Sequence, residues 1–307
     1  IALGASSNAL ANDITVYGVT VGRGAGAVSS NTALGYQALI TNSTGSSATG
    51  VGYQAGTNNS SGTNGTFLGF SAGYLNSTGS NNVAIGSQAL YSNTTESNNT
   101  AIGYQAGYNN SSGDFFTVVG SQAGKGNTSG RFNVAVGRDA LLTNSTSNDN
   151  TAVGTNALKL VTAAGNTAVG SNALGVASTG VSNVGVGNAV LARHTTGSNN
   201  VGVGVDALSF SLSADNNVAV GYQAGFNINT GGNNTTIGHL AGSAITTGSY
   251  NVAVGRLSMD ISAGVTGDQN TAVGNGTLRG VTSGANNASF GSGALQATTT
   301  GSNNTGL

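Results

Sequence analysis

Several residue types that most globular proteins use are missing or scarce in this chain. Its 307 residues include no cysteine, proline or tryptophan and only two histidines, and charged residues make up 6% of the total. The lack of cysteine excludes disulfide bonds and thiolate metal sites. Globular domains usually carry about four times as much charge, so an ordinary globular core is not expected. The net charge of −1 disfavours a basic nucleic-acid surface.

Long apolar runs are also missing. No stretch approaches the roughly 18 consecutive apolar residues that cross a bilayer, so we expect no membrane contact in this segment. Glycine, serine, asparagine and threonine abound, which makes low-complexity disorder the main alternative to a fold. Disorder predicts scattered apolar residues, however, and here they recur in fixed columns along the whole chain.

The chain consists almost entirely of one repeated phrase. NNTAIGYQAG occupies residues 98–107, and close copies begin at Asn81 (NNVAIGSQAL) and Asn216 (NNVAVGYQAG). The glycine that follows the apolar residue, as at Gly86 and Gly103, recurs in 18 copies, mostly 17 residues apart. A fixed period of this length indicates a solenoid, in which each repeat forms one coil.

The columns around the repeat glycine predict strands. The three residues before it are usually β-branched, small and apolar, as in VAI at 83–85. This period-two alternation and the β-branched side chains are typical of strands. The residues after the glycine, such as 87–90, are interpreted as a second short strand. The asparagine four before the glycine suits the corner at which the chain enters the strand, because asparagine tolerates a left-handed backbone.

The structural repeat is therefore defined by three columns: the glycine, the asparagine four residues earlier and the apolar residue just before the glycine. Representative members are Gly86, Gly103, Gly154 and Gly221; Asn82, Asn99, Asn150 and Asn217; and Ile85, Ile102, Val153 and Val220.

The remaining polar residues of each period predict an outer loop. These segments contain many Asn-x-Ser/Thr triplets, including those at Asn42, Asn76, Asn93, Asn110, Asn127 and Asn144. Turn composition alone generates such triplets, so glycosylation at these asparagines is a minor hypothesis.

The predicted fold class is all-β: a parallel β-roll or β-helix solenoid of about 18 coils in a single repeat array over residues 1–307. One thin coil has few apolar side chains to bury, and the small residues in alternate columns allow the backbone of another chain to approach closely. Several chains side by side would therefore complete the core. Ile1 and Leu307 both lie inside the motif and neither end resembles a cap. The sequence is therefore expected to be a window from a longer fibrous protein.

The repeat resembles a known family. NNVAIG at 81–86 and NTAVG at 150–154, 166–170 and 270–274 are similar to the head repeats of YadA-like trimeric autotransporter adhesins. The same phrase resembles repeats of phage and virus tail fibres. The resemblance covers essentially the whole chain and implies a left-handed parallel β-roll, three chains in one rod, and an extracellular location on a cell surface or virion.

No catalytic, cofactor or metal site is predicted, and we do not expect an enzyme. His194 lies in a predicted outer loop and His239 directly after Gly238, so both are interpreted as surface residues, and the acidic residues share no column. No nucleophile is paired with a base, and no spacing fits metal ligands.

The residue after the repeat glycine forms the most informative variable column. Its larger members include Tyr36, Tyr53, Tyr104, Arg138, Tyr222 and Arg256. One interpretation is an outer or inter-chain column that tolerates many residue types and in which tyrosines stack. The sharper hypothesis is a binding stripe, because Tyr and Arg are favoured at interfaces. The next column contains Gln37, Gln54, Gln88, Gln105, Gln122 and Gln223, which could form amide ladders.

The expected function is that of an extracellular structural and adhesive fibre segment, an adhesin head or shaft that presents a surface-binding region. The expected partners are two further copies of the chain and an unidentified host or surface receptor. A virus or phage tail-fibre shaft is the alternative. An ice-binding solenoid is less favoured, because the threonine column before the glycine is interchangeable with valine and its partner two residues on is apolar.

Overall fold

The computed structural model describes residues 6–7, 14–16, 19–26, 28–176, 179–260 and 264–307. Within these ranges the protein is all-β and contains no helix. It divides into two compact units, Ile1–Asn150 (unit 1) and Thr151–Leu307 (unit 2).

The described residues of unit 1 form ten strands, most of them three residues long. They are β1 (Ser6–Ser7), β2 (Ile14–Val16), β3 (Val19–Gly22), β4 (Thr32–Gly35), β5 (Thr49–Val51), β6 (Thr66–Leu68), β7 (Val83–Ile85), β8 (Thr100–Ile102), β9 (Thr117–Val119) and β10 (Val134–Val136). From β4 to β10 consecutive strands pair in parallel. Val83 lies opposite Thr100 and Ile85 opposite Ile102, so each residue faces its equivalent in the next coil.

In unit 2, the part of the chain that the structure describes forms ten further strands. They are β11 (Thr151–Val153), β12 (Thr167–Val169), β13 (Val184–Val186), β14 (Val201–Val203), β15 (Val218–Val220), β16 (Thr235–Ile237), β17 (Val252–Val254), β18 (Thr271–Val273), β19 (Ala288–Phe290) and β20 (Thr305–Gly306). All consecutive pairs are parallel and in register. Register is kept even where the period changes, because Thr151 pairs with Thr167 and Val252 with Thr271.

The two units contain about 16 turns of parallel solenoid with a period of about 17 residues. The all-β parallel solenoid and its period are thus confirmed, whereas the predicted number of about 18 coils is too high. The copy around Gly4 lies outside the described residues. In the copy at Gly22, Val21 pairs antiparallel with Leu34. Only 13 residues separate Gly22 from Gly35, which is too few for a complete circuit, so the chain reverses instead.

Strand alternation places the small residue inside. Ala84 and Ala101 are fully buried, while Ile102 on the other face is 37% exposed. The leucine four residues after the glycine, such as Leu90, is buried against this small column. In unit 2, a Cβ added at Gly185 would lie 3.5 Å from Leu174 Cδ1. The small residues therefore leave the space that the leucines fill, and the turns carrying those leucines cover the inner side of the strands.

The second strand predicted after the glycine is wrong. Residues 87–91 form successive turns, in which Gln88 has a φ of 58° and Leu90 a φ of 46°. The N–H of Ala89 donates to the carbonyl of Gly86 within the coil, at 3.3 Å. The N–H of Gln88 donates to Phe70 in the previous coil at 2.8 Å, and that of Leu90 to Ala106 in the next at 3.0 Å. The backbone is satisfied as in a sheet while it curves sharply enough to close a short circuit.

The repeat glycine begins this curve. Gly86 has a φ of +127° and Gly103 of +136°, in a region that side chains disfavour. A Cβ at Gly86 would lie 2.5 Å from the carbonyl oxygen of Gly103. Gly154 and Gly221 have the same left-handed backbone, with φ of +132° and +137°. Both the dihedral angle and the close stacking of coils therefore require glycine in this column.

Candidate functional site

The asparagine column before each strand is internal. Asn82, Asn99, Asn150 and Asn217 are fully buried. The Nδ2 of Asn82 donates to the carbonyl of Glu96 at 2.8 Å, and its Oδ1 accepts from the backbone N–H of Asn99 at 3.0 Å. The left-handed backbone predicted for this column lies one residue earlier, with φ of 58° at Asn81 and 63° at Asn98. The column supports the strand through hydrogen bonds rather than through its own backbone angle.

A second asparagine column lies seven residues after the glycine. Its residues were predicted to lie in outer loops, and the structure places them in the interior instead. Its members are at most 1% exposed: Asn42, Asn76, Asn93, Asn110, Asn127 and Asn144. The Nδ2 of Asn93 donates to Asn76 Oδ1 at 2.8 Å and to the carbonyl of Glu96 at 2.9 Å. These are the six asparagines named above from Asn-x-Ser/Thr triplets, so a glycan on any of the six is incompatible with the folded coil.

His194 occupies the same internal column in unit 2. It is fully buried, with Nδ1 3.0 Å from the carbonyl oxygen of Ser211 and Nε2 2.5 Å from that of Gly197. The interpretation of His194 as a surface residue is therefore wrong, since its ring replaces the carboxamide of an asparagine. His239 is exposed and stacks on Tyr222, with ring centroids 5.3 Å apart.

The strands of each unit expose one face, which we call the strand face; its third-residue column is apolar, and its first-residue column is mostly threonine or valine. It consists of the first and third residues of each parallel strand. Its large apolar side chains with exposed fractions of 36–44% are Leu34, Leu68, Ile102 and Val136 in unit 1, and Val169, Val186, Val220, Ile237 and Phe290 in unit 2. Ile85 and Val153 belong to the same face and are partly exposed. Monomeric proteins rarely expose extended apolar patches, and such patches usually mark an interface.

Aromatic side chains follow the strand face in sequence, in the column after the glycine. Tyr36, Tyr53 and Phe70 stack with ring centroids 5.1 and 5.3 Å apart, and each is 44–50% exposed. The predicted tyrosine stacking is confirmed here. Tyr104 and Tyr222 are about half exposed, and Arg138 and Arg256 are exposed as well. The column is interrupted by serine, as at Ser87 and Ser121, so it forms short stacks rather than one stripe.

The amide ladder predicted for the next column is present in part. Gln54 Nε2 donates to Gln37 Oε1 at 2.8 Å, and Gln105 donates to Gln88 at 2.8 Å. Gln122 continues the second ladder at 3.4 Å.

A further aromatic stack escaped the sequence analysis. Tyr74, Tyr91 and Tyr108 lie five residues after successive repeat glycines, with ring centroids 5.1 and 5.0 Å apart. Burial, and then the neighbouring phenols of Tyr108 and Tyr74, raise the pKa of Tyr91. The common 17-residue spacing of the three tyrosines was the signal that could have revealed this stack.

Among the described residues, no three His, Asp or Glu side chains are grouped so that they could hold a metal ion. The same residues include no helix able to cross a bilayer. Asp114 and Arg131 form an ion pair at 3.1 Å on the surface of unit 1.

Comparisons with protein-family models, with curated proteins and with solved structures found no match to this chain.

Proposed function

We propose that this chain is a segment of an extracellular fibre, in which three copies associate through their strand faces to form an adhesive head or shaft. The observation that carries the proposal is the strand face itself. Each coil satisfies its backbone with the coils next to it and buries its leucines, yet leaves side chains such as Ile102, Val220 and Ile237 about 40% exposed. A partner surface of the same chemistry would remove this apolar area from water.

The narrow width of the strand face favours an assembly of three copies. The face is one strand wide, because each coil contributes a single three-residue strand. Three narrow faces meeting around one axis can all be buried together. The similarity of NNVAIG and NTAVG to YadA-like head repeats supports the same arrangement, and with it a left-handed coil. A stack of hydrogen-bonded coils would then give length and stiffness and project a binding region.

The decisive experiment is the mass of the folded chain in solution by multi-angle light scattering. Three times the chain mass of 29.6 kDa is the expected result. A trimerising anchor fused to one end supports assembly if the isolated segment dissociates on dilution. A monomer at high concentration, with the anchor absent and the fold intact by circular dichroism, contradicts the proposal.

Adhesion needs its own test, since a tail-fibre shaft would share the same geometry. We expect beads coated with the trimer to attach to a target cell surface, with Tyr104→Ala and Tyr222→Ala reducing attachment if the aromatic column binds the receptor. A trimer that attaches to no cell surface favours a shaft. The ice-binding alternative predicts thermal hysteresis in a cooled solution, and we expect none.

A further inference from the structure

An open groove in unit 2 lies apart from the strand face. It has a volume of about 310 Å³, which is within the lower range of small-molecule sites. Two columns line it, six and eight residues after successive repeat glycines: Arg193, Phe210 and Asn227, and Leu212, Asn229 and Thr246. Both columns follow the turns that cover the inner side of the strands. Covering the strand face in a trimer would therefore leave the groove open.

The groove contains a cation that is held in place without an acidic partner. The guanidinium carbon of Arg193 lies 4.2 Å from the centre of the Phe210 ring. Arg193 is exposed, and no ion pair to it is found among the described residues. By contrast, Arg131 in unit 1 is neutralised by Asp114 at 3.1 Å. Stacking on the ring restrains the guanidinium and leaves its N–H groups for a carboxylate, which arginine binds through two parallel hydrogen bonds.

Apolar and polar surfaces alternate around this cation. The rings of Phe210 and Phe226 lie 4.8 Å apart at an angle of 59°, so they do not form a flat slot for a planar base. Asn227 Nδ2 donates to the carbonyl of Ser243 at 2.8 Å, which fixes the amide and leaves its oxygen as an acceptor. Asn229 is exposed, and no hydrogen bond of its carboxamide occurs within the described part of the chain. The groove thus offers a ring face, one cation, and amide donors and acceptors.

We propose that this groove binds one acidic sugar unit, a pyranose that carries a carboxylate. The carboxylate would pair with Arg193, the C–H face of the pyranose would pack on Phe210, and the ring hydroxyls would bond to Asn227 and Asn229. A single sugar matches the volume, and its hydroxyls need both donors and acceptors, which the amides supply. The groove lies within one chain and does not depend on assembly. An experiment that excludes sugar binding would therefore leave the proposed trimer untouched, and the reverse also holds.

The test is a titration of the whole isotope-labelled chain, followed by NMR, with three probes. Glucuronic acid carries both the ring and the carboxylate, methyl glucoside carries the ring alone, and acetate carries the carboxylate alone. We expect saturable binding of glucuronic acid, on the order of millimolar for so small a ligand, with shifts confined to the groove. Arg193→Gln and Phe210→Leu should each weaken it at least about tenfold.

Arg279→Gln is the matched control, because it removes an exposed arginine of the same unit that does not line the groove, and it should leave the affinity unchanged. Circular dichroism checks that each variant is folded. Equal binding of methyl glucoside overturns the role of Arg193, and equal binding of acetate or of an acidic peptide overturns the sugar assignment. An unchanged affinity in Arg193→Gln, or no binding by the native chain, overturns the site and leaves the Arg193–Phe210 stack as a structural contact.

Discussion

The carboxamide nitrogen of Asn127 donates to the carboxamide oxygen of Asn110 at 2.8 Å, between residues 17 positions apart in sequence. Asn110 donates in turn to the carbonyl of Gly113 at 2.7 Å and to Asn93 at 3.3 Å. Buried amides are costly unless every polar atom finds a partner. Here the next coil supplies the missing partner, so this interior is stable only as a stack of equivalent coils.

Asn110→Asp should lower the free energy of unfolding by roughly 3 kcal/mol or more, because a buried carboxylate would face the Gly113 carbonyl with no proton to donate. Asn109→Asp introduces the same charge at the adjacent, exposed position and should change the free energy of unfolding little. Urea denaturation at neutral pH compares the two variants. Equal midpoints would show that the internal ladder contributes nothing measurable.

Ile102→Lys should reduce the solution mass from that of three chains to that of one. The lysine would place a charge in the centre of the proposed interface, where it has no partner. Ile40→Lys is the control, since Ile40 is 46% exposed compared with 37% for Ile102 but lies outside the strand face. Light scattering at matched concentration distinguishes them. A trimeric Ile102→Lys variant would exclude the strand face as the interface.

Gly120→Ala should destabilise unit 1 by on the order of 3–5 kcal/mol, combining overpacking with backbone strain. Gly120 has a φ of +137°, and an added Cβ would lie 2.5 Å from the carbonyl oxygen of Gly137. Gly276→Ala tests strain alone, because Gly276 has a φ of +64° and no atom within 4 Å of the added Cβ. That change should cost about 1–2 kcal/mol. Thermal unfolding of both variants measures the difference.

Tyr91 should make the folded protein sensitive to alkali. Burial and the adjacent phenols raise its pKa above the ordinary value of 10.0, so the folded state holds the phenolic proton more tightly than the unfolded chain does. The resulting stability is fully present below about pH 10 and is lost as the pH rises through the raised folded-state pKa. In the Tyr91→Phe variant, the free energy of unfolding should fall less as the pH rises through this range.

Tyr250→Phe is the control for this titration, because Tyr250 is 60% exposed and belongs to no ring stack among the described residues. Phenolate absorbance and thermal unfolding across the alkaline range follow the two variants. The explanation fails if the alkaline loss of stability is the same in native protein and Tyr91→Phe.

The sequence predicts the strands well, because their signal is local and repeated. In VAI at 83–85 the alternation indicates both the strand and its period, and in-register pairing with TAI at 100–102 follows from the equal spacing. The apolar surface available for association is also foreseeable, because one thin coil has too few partners for all its apolar residues.

The turns and the interior were harder to predict. Gln88 and Leu90 rarely adopt a left-handed backbone, and here hydrogen bonds to Phe70 and Ala106 in neighbouring coils impose it. Asn110 lies in a segment whose composition is typical of a surface loop. Its burial is stable only because the stacked coils supply hydrogen-bond partners for its carboxamide. The groove between the columns of Arg193 and Leu212 likewise requires side chains from several coils, which no single repeat displays.

The direction of the hydrogen bonds between coils determines how unit 2 would respond to force. Val218 and Thr235 are joined through bonds from one coil to the next, so tension applied along the stack opens those bonds in sequence instead of shearing many together. Each detached coil of 17 residues would release roughly 55 Å of extended polypeptide. A single unit would therefore lengthen stepwise under load and dissipate mechanical energy. Any partner that holds neighbouring coils together would set the force at which the first step occurs.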